Sequence, residues 1–299
     1  MPVAKINAMD HAPPADLGRM GRALSADAPV VVMIHGYRYS PAVTRCDPHR
    51  HILSLDPDPA HGRALSWPRA LGFGSGREDE GLAIAFGWEA RGLLGGAYRR
   101  AGAAGRRVAD LVSDLAAQTG RPVALIGHSL GVRVALQALH HADPGSVGRI
   151  VLLAGAEFQD TAAAALDSPA GRRAEVLNIT SRENDLFDFA MEMWLDLGRR
   201  SAIGFGLARP AGNWVDVQID DQPTLEVLDR LGFSVERHPR RLSHWTPYLR
   251  RGLFDFYRTA LFQPWALSLP MLRTCLPGRI EPRWSRLLAG PAQPQAFRA

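Results

Sequence analysis

The chain has 299 residues, of which 46% are hydrophobic, so it can bury a large core as one α/β domain, with or without an inserted cap. Its formal charge is +5, carried by 34 arginines and a single lysine, Lys5. The arginines are scattered and no aromatic platforms interleave with them, so binding of nucleic acid is not expected.

The cysteine pattern and the terminal segments narrow the class of protein further. Cys46 and Cys275 lie far apart, which predicts neither a disulfide framework nor a zinc site, and we expect no metal or cofactor. Residues 1–29 lack the basic start and apolar run of a secretory signal, so we expect a cytoplasmic protein. The apolar residues 252–272 are interrupted by charges and a proline, so a transmembrane span is not expected there. They leave two alternatives: peripheral contact with a membrane, or a terminal helix packed on the core.

Short apolar runs alternate with helical patterns along the chain. Strands are predicted at residues 29–34, 82–86, 123–126, 149–154, 176–180 and 214–219, and helices at residues 107–118 and 132–141. Continuous apolar strands separated by helices predict an α/β fold with a mainly parallel central sheet and helices on both faces.

Two segments do not fit this alternation. Residues 40–80 form a long connection rich in Pro, Gly, His and Asp, with a helix expected around residues 67–72. Connections of this length are usually lids or mobile segments. Residues 92–105 are rich in Gly, Ala and Arg. We therefore expect an N-terminal extension at 1–28, a domain at 29–262 with a long irregular insertion at about 40–80, and a C-terminal tail at 263–299.

A candidate nucleophile stands between a predicted strand and a predicted helix. The segment after residues 123–126 reads Gly127-His128-Ser129-Leu130-Gly131. In that context G-x-S-x-G is typical of a nucleophile elbow, because its glycines permit a tight turn that lifts the serine hydroxyl into a cleft. The sequence therefore predicts that Ser129 is a catalytic nucleophile.

Acyl transfer at a serine needs two N–H donors for the developing oxyanion. In this architecture one donor is the amide of the residue after the nucleophile, here Leu130, and the other comes from a loop after an earlier strand. The run at residues 29–34 ends at His35-Gly36-Tyr37. We expect the Tyr37 amide to be the second donor, the alternative being that His35-Gly36 only ends the strand.

The serine also needs a general base, which on this fold follows it in the chain. His140 and His141 come late in the helix after the elbow and are expected to be solvated or capping residues. His244 stands in a loop just before a predicted helix, and His238 lies in a basic turn. Position favours His244, with His238 as the alternative.

A carboxylate is expected to fix the tautomer of that histidine. Asp185 follows the predicted strand at 176–180 by a short loop, and its neighbours Leu186, Phe187 and Phe189 are expected to bury it. Position therefore favours Asp185 as the orienting acid. The alternatives are Asp188, one turn later, and Glu157 or Asp160 after the preceding strand, and any of these carboxylates could instead be a surface charge or a helix cap.

These motifs, in this chain order, resemble the α/β-hydrolase superfamily. More narrowly, the chain is similar to a bacterial group of α/β hydrolases of unassigned function. The resemblance to the superfamily is carried by His35-Gly36-Tyr37, the elbow, Asn184-Asp185 and the late His244. The narrower resemblance covers about residues 29–260 and is carried by His35-Gly36-Tyr37, Ala85-Phe86-Gly87-Trp88, the elbow and His244-Trp245-Thr246-Pro247-Tyr248. The chain departs from the group in having Gly87 where a serine often precedes the tryptophan, and Trp245 after the histidine. The resemblance implies a serine hydrolase fold and names no substrate.

Together the motifs predict an enzyme that cleaves a small-molecule ester or thioester through an acyl-enzyme on Ser129. Two other classes stay open: a hydrolase-fold protein with different chemistry, such as a lyase or perhydrolase, and a non-catalytic binding protein. The sequence predicts neither the acyl group nor the oligomeric state.

Overall fold

The central sheet determines where every other element lies. The structure is a computed structural model that describes residues 3–10, 17–25, 27–61, 64–77, 79–237 and 242–278. Its strands are β1 (Val3–Asn7), β2 (Val30–Ile34), β3 (Leu82–Gly87), β4 (Val123–His128), β5 (Val147–Leu153), β6 (Glu175–Thr180) and β7 (Trp214–Gln218). They form one sheet in the order β1-β3-β2-β4-β5-β6-β7, and every neighbouring pair is parallel. This confirms the predicted α/β class, with a parallel central sheet and helices on both faces.

Helices connect the strands and cover both faces of the sheet. They are α1 (Leu17–Arg22), α2 (Trp67–Ala70), α3 (Leu94–Thr119), α4 (Leu130–Ala138), α5 (Gln159–Leu166), α6 (Asp185–Asp196), α7 (Gln222–Arg230), α8 (Thr246–Leu249), α9 (Leu253–Phe262) and α10 (Leu269–Cys275). Short 3-10 turns lie at Thr44–Cys46, Pro48–Arg50, Pro59–His61, Arg182–Asn184 and Ile203–Phe205. The predicted helix around residues 67–72 is thus present as α2.

Alternate side chains of each strand enter two separate cores. In β2, Val32 packs into the core that includes α3 and α4, whereas Met33 packs into the core that includes α7, α9 and α10. All five residues of β2 are buried. Burial on both faces explains why the strands read as continuous apolar runs rather than as alternating patterns.

The Gly/Ala-rich segment at residues 92–105 is helical, although its composition suggested an irregular connection. Helix α3 begins at Leu94 and continues for 26 residues. The small residues lie at its contact with α4, where a Cβ on Gly105 would be 2.6 Å from Cβ of Gln137 and 3.0 Å from the carbonyl oxygen of Val134. Here glycine permits close approach of two helices, a role that composition alone does not distinguish from a loop.

Both predicted terminal segments contribute to the fold. Strand β1 lies within the predicted extension at 1–28 and pairs with β3 along the edge of the sheet. Helix α10 lies within the predicted tail at 263–299 and buries Leu269 and Leu272. The packed structure therefore extends beyond both predicted domain boundaries.

The long insertion and the late apolar segment also contribute to the core. Ile52, Trp67 and Phe73 of the insertion are buried, as are Phe256 and Tyr257 of α9. Helix α9 thus follows the second alternative for residues 252–272, a helix packed on the core. Over the described ranges, the chain contains no helix of sufficient length and apolar character to cross a bilayer.

The close contact between α3 and α4 gives a test of the fold. We expect Gly105→Ala to lower the free energy of unfolding by about 1–3 kcal/mol, because its Cβ meets the backbone of α4. Gly102→Ala in the same helix is the control, since its Cβ would first meet the flexible side chain of Arg133 at 3.4 Å. Because alanine has a higher helix propensity than glycine, the free energy of unfolding of Gly102→Ala should be unchanged or higher by up to about 1 kcal/mol. Urea unfolding measures both, and equal destabilisation would contradict the packing described.

Candidate active site

Ser129 lies at the turn between β4 and α4 with a strained backbone. Its φ is 55° and its ψ is −123°, a backbone conformation that residues other than glycine rarely adopt. Hydrogen bonds hold the turn in place: the amide of Ser129 donates to the oxygen of Leu153 at 3.0 Å, and the amide of Ala156 donates to the oxygen of Ser129 at 3.1 Å. The predicted strand–turn–helix context of the elbow is therefore present, and Ser129 lines a cavity at the carboxyl edge of the sheet.

The loop after β2 approaches the elbow closely. A Cβ on Gly36 would lie 2.8 Å from Cβ of Ser129, so only glycine fits at position 36 next to the elbow. Tyr37 and Leu130 both line the cavity beside Ser129. Within the described residues, neither the Tyr37 amide nor the Leu130 amide has a hydrogen-bond acceptor. Two N–H groups next to a serine hydroxyl are the donors that a tetrahedral oxyanion needs.

His35 fastens this loop to the neighbouring strand. Its Nδ1–H donates to the oxygen of Gly36 at 2.9 Å, and its Nε2 accepts from the amide of Trp88 at 3.0 Å. In return, the indole N–H of Trp88 donates to the oxygen of His35 at 3.0 Å. Burial lowers the pKa of His35 to about 3, so the ring is neutral and keeps this pattern at physiological pH. The histidine of the His-Gly-Tyr motif is thus a structural residue that fixes the Tyr37 loop.

His244 lines the same cavity as Ser129. Among the described side chains no hydrogen bond joins the two, and contacts of this kind commonly tighten only when substrate binds. His128, the second residue of the elbow, contacts His244 directly: its Nε2–H donates to the backbone oxygen of His244 at 2.8 Å, and the centres of the two rings are 4.5 Å apart. Burial, and secondarily His128, lowers the pKa of His244 well below its usual value of 6.5. A neutral imidazole at neutral pH is the form that can accept a proton.

Asn184 is the side chain that contacts the other nitrogen of this histidine. Its Oδ1 lies 2.5 Å from Nδ1 of His244, and its amide nitrogen donates to Oδ1 of Asp188 at 3.0 Å. Burial and the neighbouring Asp185 raise the pKa of the Asp188 carboxyl well above its usual value. The structure thus places Asn184, one position before Asp185, at His244 Nδ1, with Asp188 behind it.

A chemical reason explains why the sequence pattern did not indicate Asn184 as the partner of His244. The residue that orients a catalytic histidine is usually a carboxylate, although an amide oxygen also accepts from an imidazole N–H. Asp185 itself is buried at the start of α6 and lies near Asp188, and its role as the orienting acid stays a prediction. Asp185 is buried as expected, although Leu186, Phe187 and Phe189, which were expected to bury it, are 40–44% exposed themselves.

The other sequence alternatives are engaged elsewhere or lie outside the description. Glu157 is fully buried in an ion pair with Arg133 at 2.6 Å. Asp160 accepts from Nε of Arg200 at 2.9 Å. His140 and His141 are exposed beyond the last turn of α4. His238 lies outside the described residues.

A buried ion pair joins the segment of Asn184 to the segment of His244. Oε1 of Glu183 lies 2.7 Å from a guanidinium nitrogen of Arg250, and their side chains are 1% and 3% exposed. The Thr246 hydroxyl donates to the same carboxylate, and the amide of Ser243 donates to the backbone oxygen of Glu183 at 3.0 Å. These contacts bracket His244 on both sides, so they fix its ring opposite Asn184.

The cavity has a volume of about 690 Å³ and two kinds of lining. The segment after β2 contributes polar and basic side chains, among them Arg38, Arg45 and His51. Helix α6 contributes apolar ones, among them Met191 and Trp194. The site can therefore hold an uncharged chain against α6 and polar groups against the β2 loop.

The buried ion pair predicts a large and local loss of stability. Arg250→Met should lower the free energy of unfolding by about 3–5 kcal/mol, because it leaves the carboxylate of Glu183 buried without its cation. Arg258→Met is the control: Arg258 pairs with Asp255 on the surface, its side chain is 48% exposed, and the expected loss is at most about 1 kcal/mol. Similar losses for the two variants in urea unfolding would show that the buried pair contributes no more to stability than the surface pair.

Comparison with known proteins finds only remote structural similarity. No protein-family model matches the chain, and no curated protein matches its sequence. Aspergillus fumigatus lipase B is 14% identical with a TM-score of 0.43; the match covers 90% of this chain, which spans 60% of the lipase. The mature form of Bacillus licheniformis lipase BlEst2 is 11% identical with a TM-score of 0.42, over 81% of this chain and 94% of the lipase. At this distance the chemistry of the site has to be inferred from its own residues.

Proposed function

We propose that the protein is a serine hydrolase that cleaves a carboxylic ester or thioester through an acyl-enzyme on Ser129. The observation that carries the proposal is the strained backbone of Ser129 at the end of β4, in one cavity with His244 and beside the amides of Tyr37 and Leu130, which find no acceptor among the described residues. A backbone strain of this kind persists only where the surrounding structure enforces it, and it is frequent at active sites.

In the first step the Ser129 oxygen attacks the carbonyl carbon and its proton passes to Nε2 of His244. The Tyr37 and Leu130 amides hold the negative oxygen of the tetrahedral intermediate. When the carbonyl re-forms, the bond to the alcohol or thiol breaks, and His244 gives the proton to that leaving group. Water then attacks the acyl-enzyme by the same route, which releases the acid and restores the Ser129 hydroxyl.

Asn184 is proposed to take the place usually held by an acid. Its Oδ1 can accept only from a protonated Nδ1, so it selects the tautomer whose Nε2 is free to take the serine proton. Asp188 accepts from the Asn184 amide and thereby fixes which end of that amide points to the histidine. Because the contact is with a neutral amide, the imidazolium formed in the reaction receives less stabilisation than beside a carboxylate.

The proposed substrate carries an acyl or alcohol chain that is largely apolar. Phe187, Met191 and Trp194 of α6 line one part of the cavity, and Leu94 and Ala156 add further apolar surface. A chain lying there would be removed from water, with a favourable free energy of about 0.8 kcal/mol per buried methylene.

Labelling tests the nucleophile. A fluorophosphonate probe should label the wild type and not Ser129→Ala, and this variant should lose about 10⁴-fold or more in kcat/KM on 4-nitrophenyl esters of increasing chain length. An acyl-CoA thioester is assayed beside them. Equal labelling of both proteins would remove Ser129 from the proposal. No labelling, together with no hydrolysis of any ester or thioester, would favour a non-catalytic binding protein.

A pair of neighbouring substitutions decides which residue orients the base. Asn184→Ala should lower kcat by roughly 10²-fold, since Nδ1 of His244 loses its acceptor. Asp185→Asn, which keeps the volume, should change kcat much less. The reverse ranking would restore Asp185 as the orienting residue.

The pH profile of the same site gives an independent readout. Because burial depresses the pKa of His244, the acid limb of kcat/KM should lie below pH 6.5. Asn184→Asp puts a negative charge at Nδ1, which favours the protonated ring, so the acid limb should move to higher pH. An unchanged profile would show that residue 184 does not contact the catalytic histidine.

A further inference from the structure

Helix α6 is inverted with respect to an ordinary surface helix. Three of its four acidic side chains, those of Asp185, Asp188 and Glu192, are buried, whereas its outer surface is mainly apolar. We call this outer surface the α6 face; it consists of Leu186, Phe187, Phe189, Met193, Trp194 and the capping residue Leu197, with exposures from 39% to 77%. A contiguous apolar surface of this kind on a soluble protein usually marks a place of contact.

The α6 face is continuous with the mouth of the cavity. Phe187 and Trp194 belong to both, and the ring of Phe187 lies 6.4 Å from that of Trp245, which is 51% exposed. Leu93, at the start of α3, is 87% exposed. A partner that covers the α6 face therefore also covers the opening through which Ser129 is reached.

Arginines border this apolar surface without acidic partners. Arg38 and Arg45 line the cavity, and Arg199 follows α6 directly. Arg99 and Leu195 of α6 both approach Gly95, which places Arg99 at the border of the helix. In the described parts of the chain, none of these four arginines forms an ion pair, whereas Arg200 and Arg182 nearby are paired with Asp160 and Asp220. The border of the face is therefore positively charged.

We propose that the α6 face docks onto an anionic phospholipid surface. The apolar side chains would enter the boundary between headgroups and acyl chains, and the unpaired arginines would contact lipid phosphates. Exposed tryptophans are favourable at that depth, because their rings are amphipathic. A second copy of the chain fits less well, because a two-fold contact on this face would bring the same unpaired arginines against one another.

Vesicle sedimentation tests the surface without turnover. In the full-length Ser129→Ala protein, which leaves the lipid intact, we expect binding to phosphatidylcholine vesicles containing one quarter phosphatidylglycerol, and at least tenfold weaker binding to phosphatidylcholine alone. Phe189→Ser with Leu197→Ser should reduce the partition coefficient at least tenfold. Neither residue lines the cavity, so the same pair in the wild-type background should hydrolyse a soluble ester as before.

Trp265→Ser is the matched control. Trp265 is 74% exposed, but Arg149, near the amino end of β5, donates to the oxygens of its neighbours Pro264 and Leu267, so it lies at the opposite edge of the sheet from Ser129. Its vesicle binding should equal that of the parent protein. Arg99→Gln with Arg199→Gln should weaken binding and reduce its dependence on salt.

Three results would overturn the proposal: no binding to the anionic vesicles, equal loss of binding in the Trp265 variant and the α6 variants, or a dimer in sedimentation equilibrium that the α6 variants dissociate. Because binding is measured with an inactive serine, failure of the proposed hydrolase activity would leave the vesicle result standing, and the converse also holds.

Discussion

The buried ion pair between Glu183 and Arg250 is the contact on which the geometry of the site depends. It joins the turn after β6 to the segment that contains His244, which is 60 residues away from Asn184 in sequence. Neither segment belongs to the sheet, so the strands alone do not determine their relative position. Two charges of this kind are costly to bury, and the cost is offset only when their geometry and hydrogen bonds are complete. Here the Thr246 hydroxyl donates a further hydrogen bond to the Glu183 carboxylate, which fixes the loop that contains His244.

The parallel sheet supplies the other half of the arrangement. His128 is in register with Leu153, and Leu153 with Ile179, so β4, β5 and β6 end at the same level. The residues that follow those strands are consequently neighbours at one edge, as is general for ligand sites of parallel α/β sheets. Burial at this edge lowers the pKa values of His35, His128 and His244, which keeps three imidazoles uncharged within a small volume. A charged ring at any of them would disturb the hydrogen bonds that position the others.

Helix α6 supplies both buried acidic side chains to the interior and an exposed apolar surface at the mouth of the cavity. Its buried carboxylates serve the interior, where Asp188 holds the amide of Asn184 and Glu192 accepts from the backbone amide of Ala202 at 2.7 Å. Because the polar side chains are used inward, the apolar ones are left outward at the mouth of the cavity. The polar side of the helix thus faces inward, because its acidic side chains form hydrogen bonds in the interior. The apolar surface that is left exposed is suited to an apolar partner.

The sequence by itself determined six of the seven described strands, with β1 missed, as well as α2, α4, the second half of α3 and the strand–turn–helix at Ser129 with His244 after it in the chain. Those features depend on local periodicity and on short motifs whose backbone geometry is encoded by adjacent residues. It also indicated the Tyr37 loop, since Gly36 follows an apolar strand directly. It did not distinguish the Gly/Ala-rich start of α3 from a loop, because the same small residues serve close helix packing and flexible connections.

Only the tertiary structure decided which side chain meets the histidine. Asn184, Asp185 and Asp188 are all within one turn, and the choice among them depends on the rotation of a short 3-10 turn that Glu183 and Arg250 hold in place. The same is true of α6, whose acidic residues all lie on one side of the helix, so its periodicity alone would place that side in solvent, whereas the structure buries it. Local sequence thus specified most of the elements and the turn at Ser129, whereas contacts between residues distant in the chain selected the partner of His244 and the surface left exposed.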